Sequence, residues 1–271
     1  MPESPEIAFQ RQYIESKVAN STLLHINIMR GRYLKHGPPN NYTRFKRQLP
    51  LKCTGVQKKG KVLFIYFEKD WCIISKLGLS GWWYSTGDEP TWKTNTKNIV
   101  MDFSNKKDLI YSDLLNYGTL TFTQDKTRIQ KEYDTLAPDI MNKSTASKDI
   151  LDRISRLSTK TKDKLLQDIL VEQKIIFSGI GNYLKSEILY DVGISPLRAV
   201  KDVTPREWIQ ICQSAKRLGN MMYKVLLKQR LDLYVSSMKV YHKETDPLGN
   251  PVAKHKTKAG RMTFWVPSVQ S

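Results

Sequence analysis

Acidic residues and cysteines are scarce in this 271-residue chain. Only 26 Asp and Glu stand against 44 Lys and Arg, a formal net charge of +18 at pH 7, which points to a polyanionic partner. The plainer alternative is a basic ribosomal or ribonucleoprotein component. Cys53, Cys72 and Cys212 are odd in number and widely spaced. They give no disulfide framework and no Cys-x-x-Cys pair, so a reducing compartment is expected. No apolar run approaches the roughly 20 residues of a spanning helix, and no membrane partner is expected. The first residues carry acids and lack an apolar h-region, so no signal peptide is expected and the protein is placed inside the cell. Internal repeats and low-complexity tracts are also lacking. What is plentiful is core material: 40% hydrophobic and 10% aromatic residues, enough for one large or two ordinary domains.

The pattern along the chain changes twice. From Ser4 to Val18 it predicts a helix, with Ser4 as N-cap, Pro5 at the first helical position, and Ile7, Ile14 and Val18 on one face. Residues 22–125 then alternate short segments rich in Val, Ile, Tyr, Phe and Trp ("LLHINIMR", "KVLFIYFE", "WCIISKLGLSGWWY", "NIVMDF", "DLIYSDL", "GTLTFT") with turn chemistry such as "GPPNN" and "TGDEP". This predicts a β-rich domain, a sandwich or flattened barrel. A polar stretch at 126–148 reads as a connection. Beyond it the period is helical: "KDKLLQDILVEQK" predicts a helix, and "TPRE" at 204–207 supplies Thr204 as N-cap, Pro205 at N1 and Glu207 at N3 for another running to about Leu227. The last thirty residues return to strand and turn signals and predict a small hairpin.

Four stretches carry chemistry. In "MPESPE", removal of Met1 would give Pro2 a free secondary amine. An α-amine is roughly a fifth to a third unprotonated near pH 7.4, against about one part in a thousand for a lysine, so Pro2 is a ready Schiff-base nucleophile. Glu3 beside it could protonate a sugar ring oxygen or shuttle protons. The plainer reading is a helix N-cap with acids in its first turn. In "KKGKVLFIYF", Gly60 gives a turn and Lys61 opens a strand, as a solvated charge or as a group aimed at a phosphate. In "GIGNYLKSEILY", Gly179 and Gly181 permit a tight turn with exposed amides, and Asn182 enters a helix that buries Leu184, Ile188 and Leu189. That is an anion site or a corner between packed helices. In "KAGRMTFWV", Gly260 turns a hairpin that carries Arg261 at its tip, with Phe264 and Trp265 packed behind. Arg261 is either a groove or phosphate contact or part of an ordinary solvated turn.

Together and in this order, the four stretches resemble the Fpg/Nei family of DNA glycosylases over essentially the whole chain, nearest in character to the Nei-like enzymes of eukaryotes and large DNA viruses. The resemblance implies a two-domain α+β fold: an N-terminal helix and a two-layer antiparallel β-sandwich over 1–130, a linker over 131–148, a helix–two-turn–helix domain over 149–228, and a finger hairpin over 229–271. It implies Pro2 as nucleophile, Glu3 as acid/base partner and Glu6 as a supporting acid. Lys61 becomes a further catalytic residue that contacts the phosphate beside the lesion and assists the chemistry; Asn182 and Arg261 become phosphate contacts, with Gly179 and Gly181 shaping the turn at the DNA. Many relatives close the finger with four cysteines on zinc. Here no cysteine follows Cys212, and His242 and His255 alone do not make four ligands, so the chain is similar to the zincless variant; no metal and no cofactor are expected.

Two segments match the family's void-filling loops. "KLGLSGWW" places Leu79 in the gap left by an extruded base. "DLLNYG" at 113–118 offers Tyr117 as the intercalating aromatic but puts Leu115 and Asn116 where two arginines are usual. Weak discrimination of the opposite base and activity on single-stranded or bubble DNA are therefore expected. Ser4 replaces a more usual glycine, and one surplus residue lies between Glu172-Gln173 and Gly179, in a helical bulge or through a different register. The expected activity is a bifunctional glycosylase and abasic-site lyase acting on oxidised pyrimidines and hydantoins in base excision repair, as a monomer, in the nucleus or at a site of viral replication. The alternatives are a catalytically weak protein that binds damaged or abasic DNA on the same fold, and an RNA-binding protein. The segment between Lys228 and His242 carries no readable code.

Overall fold

The computed structural model describes residues 2–90, 96–228 and 236–271. Met1 and the first part of the Lys228–His242 segment lie outside the described residues. The chain divides into two compact units, one of Met1–Pro2 with Glu6–Thr135 and one of Glu3–Pro5 with Leu136–Ser271.

In the first unit, helix α1 (Ser4–Val18) buries Ile7, Ile14 and Val18. Strands β1 (Thr22–Ile28), β2 (Leu51–Lys59), β3 (Val62–Phe67), β4 (Cys72–Lys76), β5 (Trp82–Tyr84), β6 (Ile99–Phe103), β7 (Asp108–Ser112) and β8 (Thr119–Thr123) pair antiparallel in the order 5-7-6-1-2-3-4-8. The short helices α2 (Arg32–Lys35) and α3 (Tyr42–Lys46) lie between β1 and β2. β1 and β2 share only two residue pairs, Thr22↔Lys52 and Leu23↔Leu51, so the ladder divides there into two four-stranded layers. Their apolar faces, with Ile26, Met101 and Leu109 from one and Leu63, Ile65 and Ile73 from the other, share one core. Burying each such side chain contributes about 1.5–3 kcal/mol.

Strand β2 was not announced by the pattern. "LKCTGVQKK" buries Leu51, Cys53 and Val56, and a register shift between Cys53 and Gly55 breaks the two-residue period by which strands are recognised. Helix α4 (Lys126–Thr135) occupies the start of the polar stretch read as a connection.

The second unit contains α5 (Ser147–Ser155), α6 (Thr159–Lys162), α7 (Leu166–Ile169), α8 (Asn182–Asp191), α9 (Pro205–Leu227) and a hairpin of β9 (Ala253–Lys256) and β10 (Met262–Trp265). α9 starts as its sequence predicts: Thr204 N donates to Glu207 Oε2 at 2.7 Å and Glu207 N to Thr204 Oγ1 at 3.3 Å. The helix expected over "KDKLLQDILVEQK" is a correction. Only the end of α6 and the single turn α7 form, because the Leu166 and Gln167 amides donate to the carbonyls of Arg198 and Pro196. After α7 the chain wraps around the Gln173 amide, which donates to the Val171 and Ile180 carbonyls and accepts from Gly179 N. The stretch between Gln173 and Gly179 is this loop and contains no helical bulge. Among the described residues no helix is long and apolar enough to cross a membrane.

Candidate active site and nucleic-acid interface

The chain start is held by backbone amides. Glu3 is buried, and its carboxylate accepts from Gly181 N at 2.6 Å, Tyr183 N at 3.0 Å and Leu184 N at 3.2 Å. These are the donors that the opening of α8 leaves without intrahelical partners, at the positive end of the helix dipole. Ser4 N donates to the Gly179 carbonyl at 2.9 Å, and Ser4 Oγ donates to Asp139 Oδ1 at 3.0 Å. Gly179 is required here: its φ is +104°, and a Cβ on it would lie 2.6 Å from Ser4 Cβ. Pro2 and Glu6 are also buried.

This corrects the expectation for Gly179 and Gly181. Their amides are not exposed to an outside anion: Gly179 N donates to Gln173 Oε1 and Gly181 N to Glu3. The anion at this helix N-terminus is the chain's own carboxylate. Asn182 is half-buried as the first residue of α8, and its Oδ1 is buried without a hydrogen-bond partner among the described residues. The amides of Gly179 and Gly181 are thus already engaged before any phosphate could reach them.

Lys61 sits in the two-residue turn Gly60-Lys61 that joins β2 to β3, with Lys59 paired to Val62 and Gly60 at φ +54°. It is half-buried and lies one position ahead of the strand. Arg261 follows Gly260 (φ +77°) at the turn of the hairpin and is exposed. The turn is closed by Thr257 N donating to the Arg261 carbonyl and Arg261 N to Thr257 Oγ1. Phe264 packs behind it on Tyr241 and His242, with ring centroids at 5.1 and 4.6 Å; Trp265 is half-buried. The hairpin is fastened to α8 by Phe264 N donating to Ser186 Oγ at 3.2 Å. Glu187, which sequence reasoning passed over, accepts from the amides of Lys239, Val240 and Tyr241 at 2.8–3.0 Å. With its donors more than fifty positions away, no local signal could have marked it.

The void-filling candidates lie on two loops of the first unit: Leu79 is 45% exposed, Leu115 54% and Tyr117 63%. Beside the second loop is a cavity of about 300 Å³ lined by Arg30, Arg32, Lys35, His36 and Asn116. Arg32 donates to the Asn116 and Gly118 carbonyls at 3.3 and 3.4 Å.

The three cysteine thiols are no rival nucleophiles. Burial pushes Cys53 and Cys212 up to about 11 and Cys72 up to about 12, so all three stay protonated near neutrality. No group of three metal-ligating side chains occurs among the described residues.

The two-unit architecture is that of DNA glycosylases solved on damaged DNA. The Lactococcus lactis formamidopyrimidine-DNA glycosylase bound to DNA with an abasic site superposes with a TM-score of 0.81 over 99% of both chains at 21% identity; its complex with DNA containing a formamidopyrimidine-dG lesion also scores 0.81. Residues 1–120 match the formamidopyrimidine-DNA glycosylase N-terminal domain and residues 236–271 its C-terminal domain. The Oceanobacillus iheyensis formamidopyrimidine-DNA glycosylase is 26% identical over 80% of this chain and 74% of its own length, and endonuclease 8 of Escherichia coli is 23% identical over the whole of both. The chain belongs to the Fpg/Nei family of DNA glycosylases.

Proposed function

We propose that the chain is a bifunctional glycosylase and abasic-site lyase that uses the imino nitrogen of Pro2 once Met1 is removed. The observation that carries this reading is the anchoring of Glu3 by three amide donors at the start of α8. It fixes the residue bonded to Pro2, and a fixed nucleophile gains most of its advantage from orientation.

The Pro2 nitrogen attacks C1′ of an extruded nucleotide as the glycosidic bond breaks, and the base leaves with a proton. The C1′–O4′ bond of the resulting ring then breaks: O4′ takes a proton from Glu3 and becomes a hydroxyl, while the Pro2 nitrogen lone pair closes the iminium to C1′. The iminium acidifies C2′; loss of that proton expels the 3′ phosphate, and a second elimination expels the 5′ phosphate. Glu6 supports the site, and Lys61, Asn182 and Arg261 grip phosphates. Leu79, Leu115 and Tyr117 fill the void, offsetting the few kcal/mol that extrusion costs.

Oxidised pyrimidines and hydantoins are the proposed bases, as in the Nei-like zincless enzymes. The ring cluster of Tyr241, His242 and Phe264 supports a finger held by apolar packing. Duplex, bubble and single-stranded DNA are proposed substrates of a monomer. The test is borohydride trapping on a 5-hydroxyuracil or abasic oligonucleotide. A covalent adduct is expected, and it should disappear when a retained N-terminal tag blocks Pro2; an adduct that persists on the blocked protein would rule the mechanism out.

A further inference from the structure

Two loops of the first unit reverse the usual rule of burial. Residues 77–81 and 113–118 expose Leu79, Leu114, Leu115 and Tyr117, whereas Thr96, Asn98, Ser112 and Asp113 beneath them are polar and buried. Contiguous exposed hydrocarbon on a soluble chain marks an interaction site, and here the polar layer ties the two loops together. Ser80 Oγ, from the first loop, donates to Asp113 Oδ1 and accepts from Leu115 N at 2.9 Å. The other Asp113 oxygen accepts from Gly118 N at 2.7 Å and from the Tyr111 hydroxyl at 3.4 Å. Burial, then the charge of Asp113, pushes the Tyr111 phenol up, so it remains a donor. Asn98 closes the layer, with Oδ1 accepting from Asp113 N at 2.8 Å and Nδ2 donating to the Asp113 carbonyl at 3.2 Å. The loops also touch through backbone alone: a Cβ on Gly78 (φ +62°) would lie 2.6 Å from the Tyr117 carbonyl carbon and 2.7 Å from Gly118 N.

We propose that Asp113 and Ser80 are positioning residues that join the two loops into one stiff apolar wedge for the gap an extruded nucleotide leaves in duplex DNA. The inference rests on the glycosylase reading above. Flexible loops would lose conformational freedom on insertion, whereas a preformed wedge does not. The occupant is a base stack because cations outnumber the one carboxylate on the flank of the wedge: Arg32, whose guanidinium donates to the Asn116 and Gly118 carbonyls, lines a cavity with Arg30, Lys35 and Asp113, a complement to the phosphates beside such a gap.

Ser80→Ala tests this, because it removes the bridge between the loops and leaves the Asp113–Gly118 bond in place. One 5-hydroxyuracil strand is cleaved alone and in a duplex carrying 2-aminopurine opposite the lesion, with the melting temperature of the protein measured alongside. Losing the bond to the charged Asp113, together with the acceptor for Leu115 N, should slow duplex cleavage about tenfold or more and leave single-strand cleavage within about twofold. The 2-aminopurine rise that reports unstacking should shrink, and Ser80→Thr, which keeps the hydroxyl, should restore it. Equal losses on both substrates, or none, would overturn the proposal. A wild-type protein that cuts neither substrate would overturn the glycosylase reading, and this inference with it.

Discussion

The first turn of α8 and the paired loops at 77–81 and 113–118 handle polarity in opposite ways. At α8 a carboxylate is drawn inside and saturated by three amides; at the loops hydrocarbon is pushed outside over a buried carboxylate that is also met by an amide. Glu3 and Asp113 are thus anchored by the same device, a buried carboxylate on backbone N–H donors. They serve different ends. On the proposed mechanism, one anchor fixes the terminus that attacks C1′, so it should matter to every substrate. The other fixes a shape, so it should matter only where a base stack has to be opened.

The largest effect should come from Glu3→Gln. It sets an amide NH₂ among donors that all need an acceptor and, on the proposed mechanism, removes the proton-transfer group, so single-turnover cleavage should fall at least about a hundredfold, equally on single-stranded and duplex DNA. A loss confined to duplex would erase the distinction between the two anchors. Arg261→Ala comes next: binding to an abasic duplex should weaken about tenfold and the slope of log affinity against log salt should drop by about one, with trapping at saturating protein unchanged. Smaller again is the influence of the opposite base. One lesion placed opposite A, C, G and T should be cut at rates within about threefold of one another, since no base-reading arginine of the kind worth 1–3 kcal/mol stands at Leu115 or Asn116; a strong preference would show that another side chain reads the orphaned base.

The smallest effect lies away from both anchors. The Arg198 guanidinium, 2.6 Å from Glu207, holds that carboxyl at about 2 against an ordinary 4.5. A carboxyl lowered in this way contributes stability that is complete above 4.5 and is lost as pH falls through about 2. Both side chains are 24% exposed, so solvent screening keeps the contribution small. Glu207→Gln should lower the melting temperature slightly at pH 7 and flatten its fall between pH 4.5 and pH 2, as followed by thermal melts.

Features written in adjacent residues were legible. Thr204, Pro205 and Glu207 announced α9 and its cap, and Gly260 with Arg261 announced a turn with an exposed guanidinium. Features that depend on distant partners were not. Glycines 179 and 181 signalled a turn, but nothing local could say that its amides would be taken by Gln173 and by Glu3, 178 positions earlier in the second case. Asp113 stood in plain view at the head of "DLLNYG", yet its partners are a serine 33 positions back and an amide five ahead. β2 escaped because a bulge shifts its register midway.

Helix α8 has a consequence for any attempt to re-engineer the chain. Glu3 grips its first turn, while Ser186 and Glu187 in its middle hold the finger strand and the segment leading to it. An α-helix advances about 100° and 1.5 Å per residue. Deleting or inserting a single residue between Asn182 and Ser186 would therefore turn Ser186 and Glu187, and the hairpin contacts they make, by about 100° relative to the amides that hold Glu3.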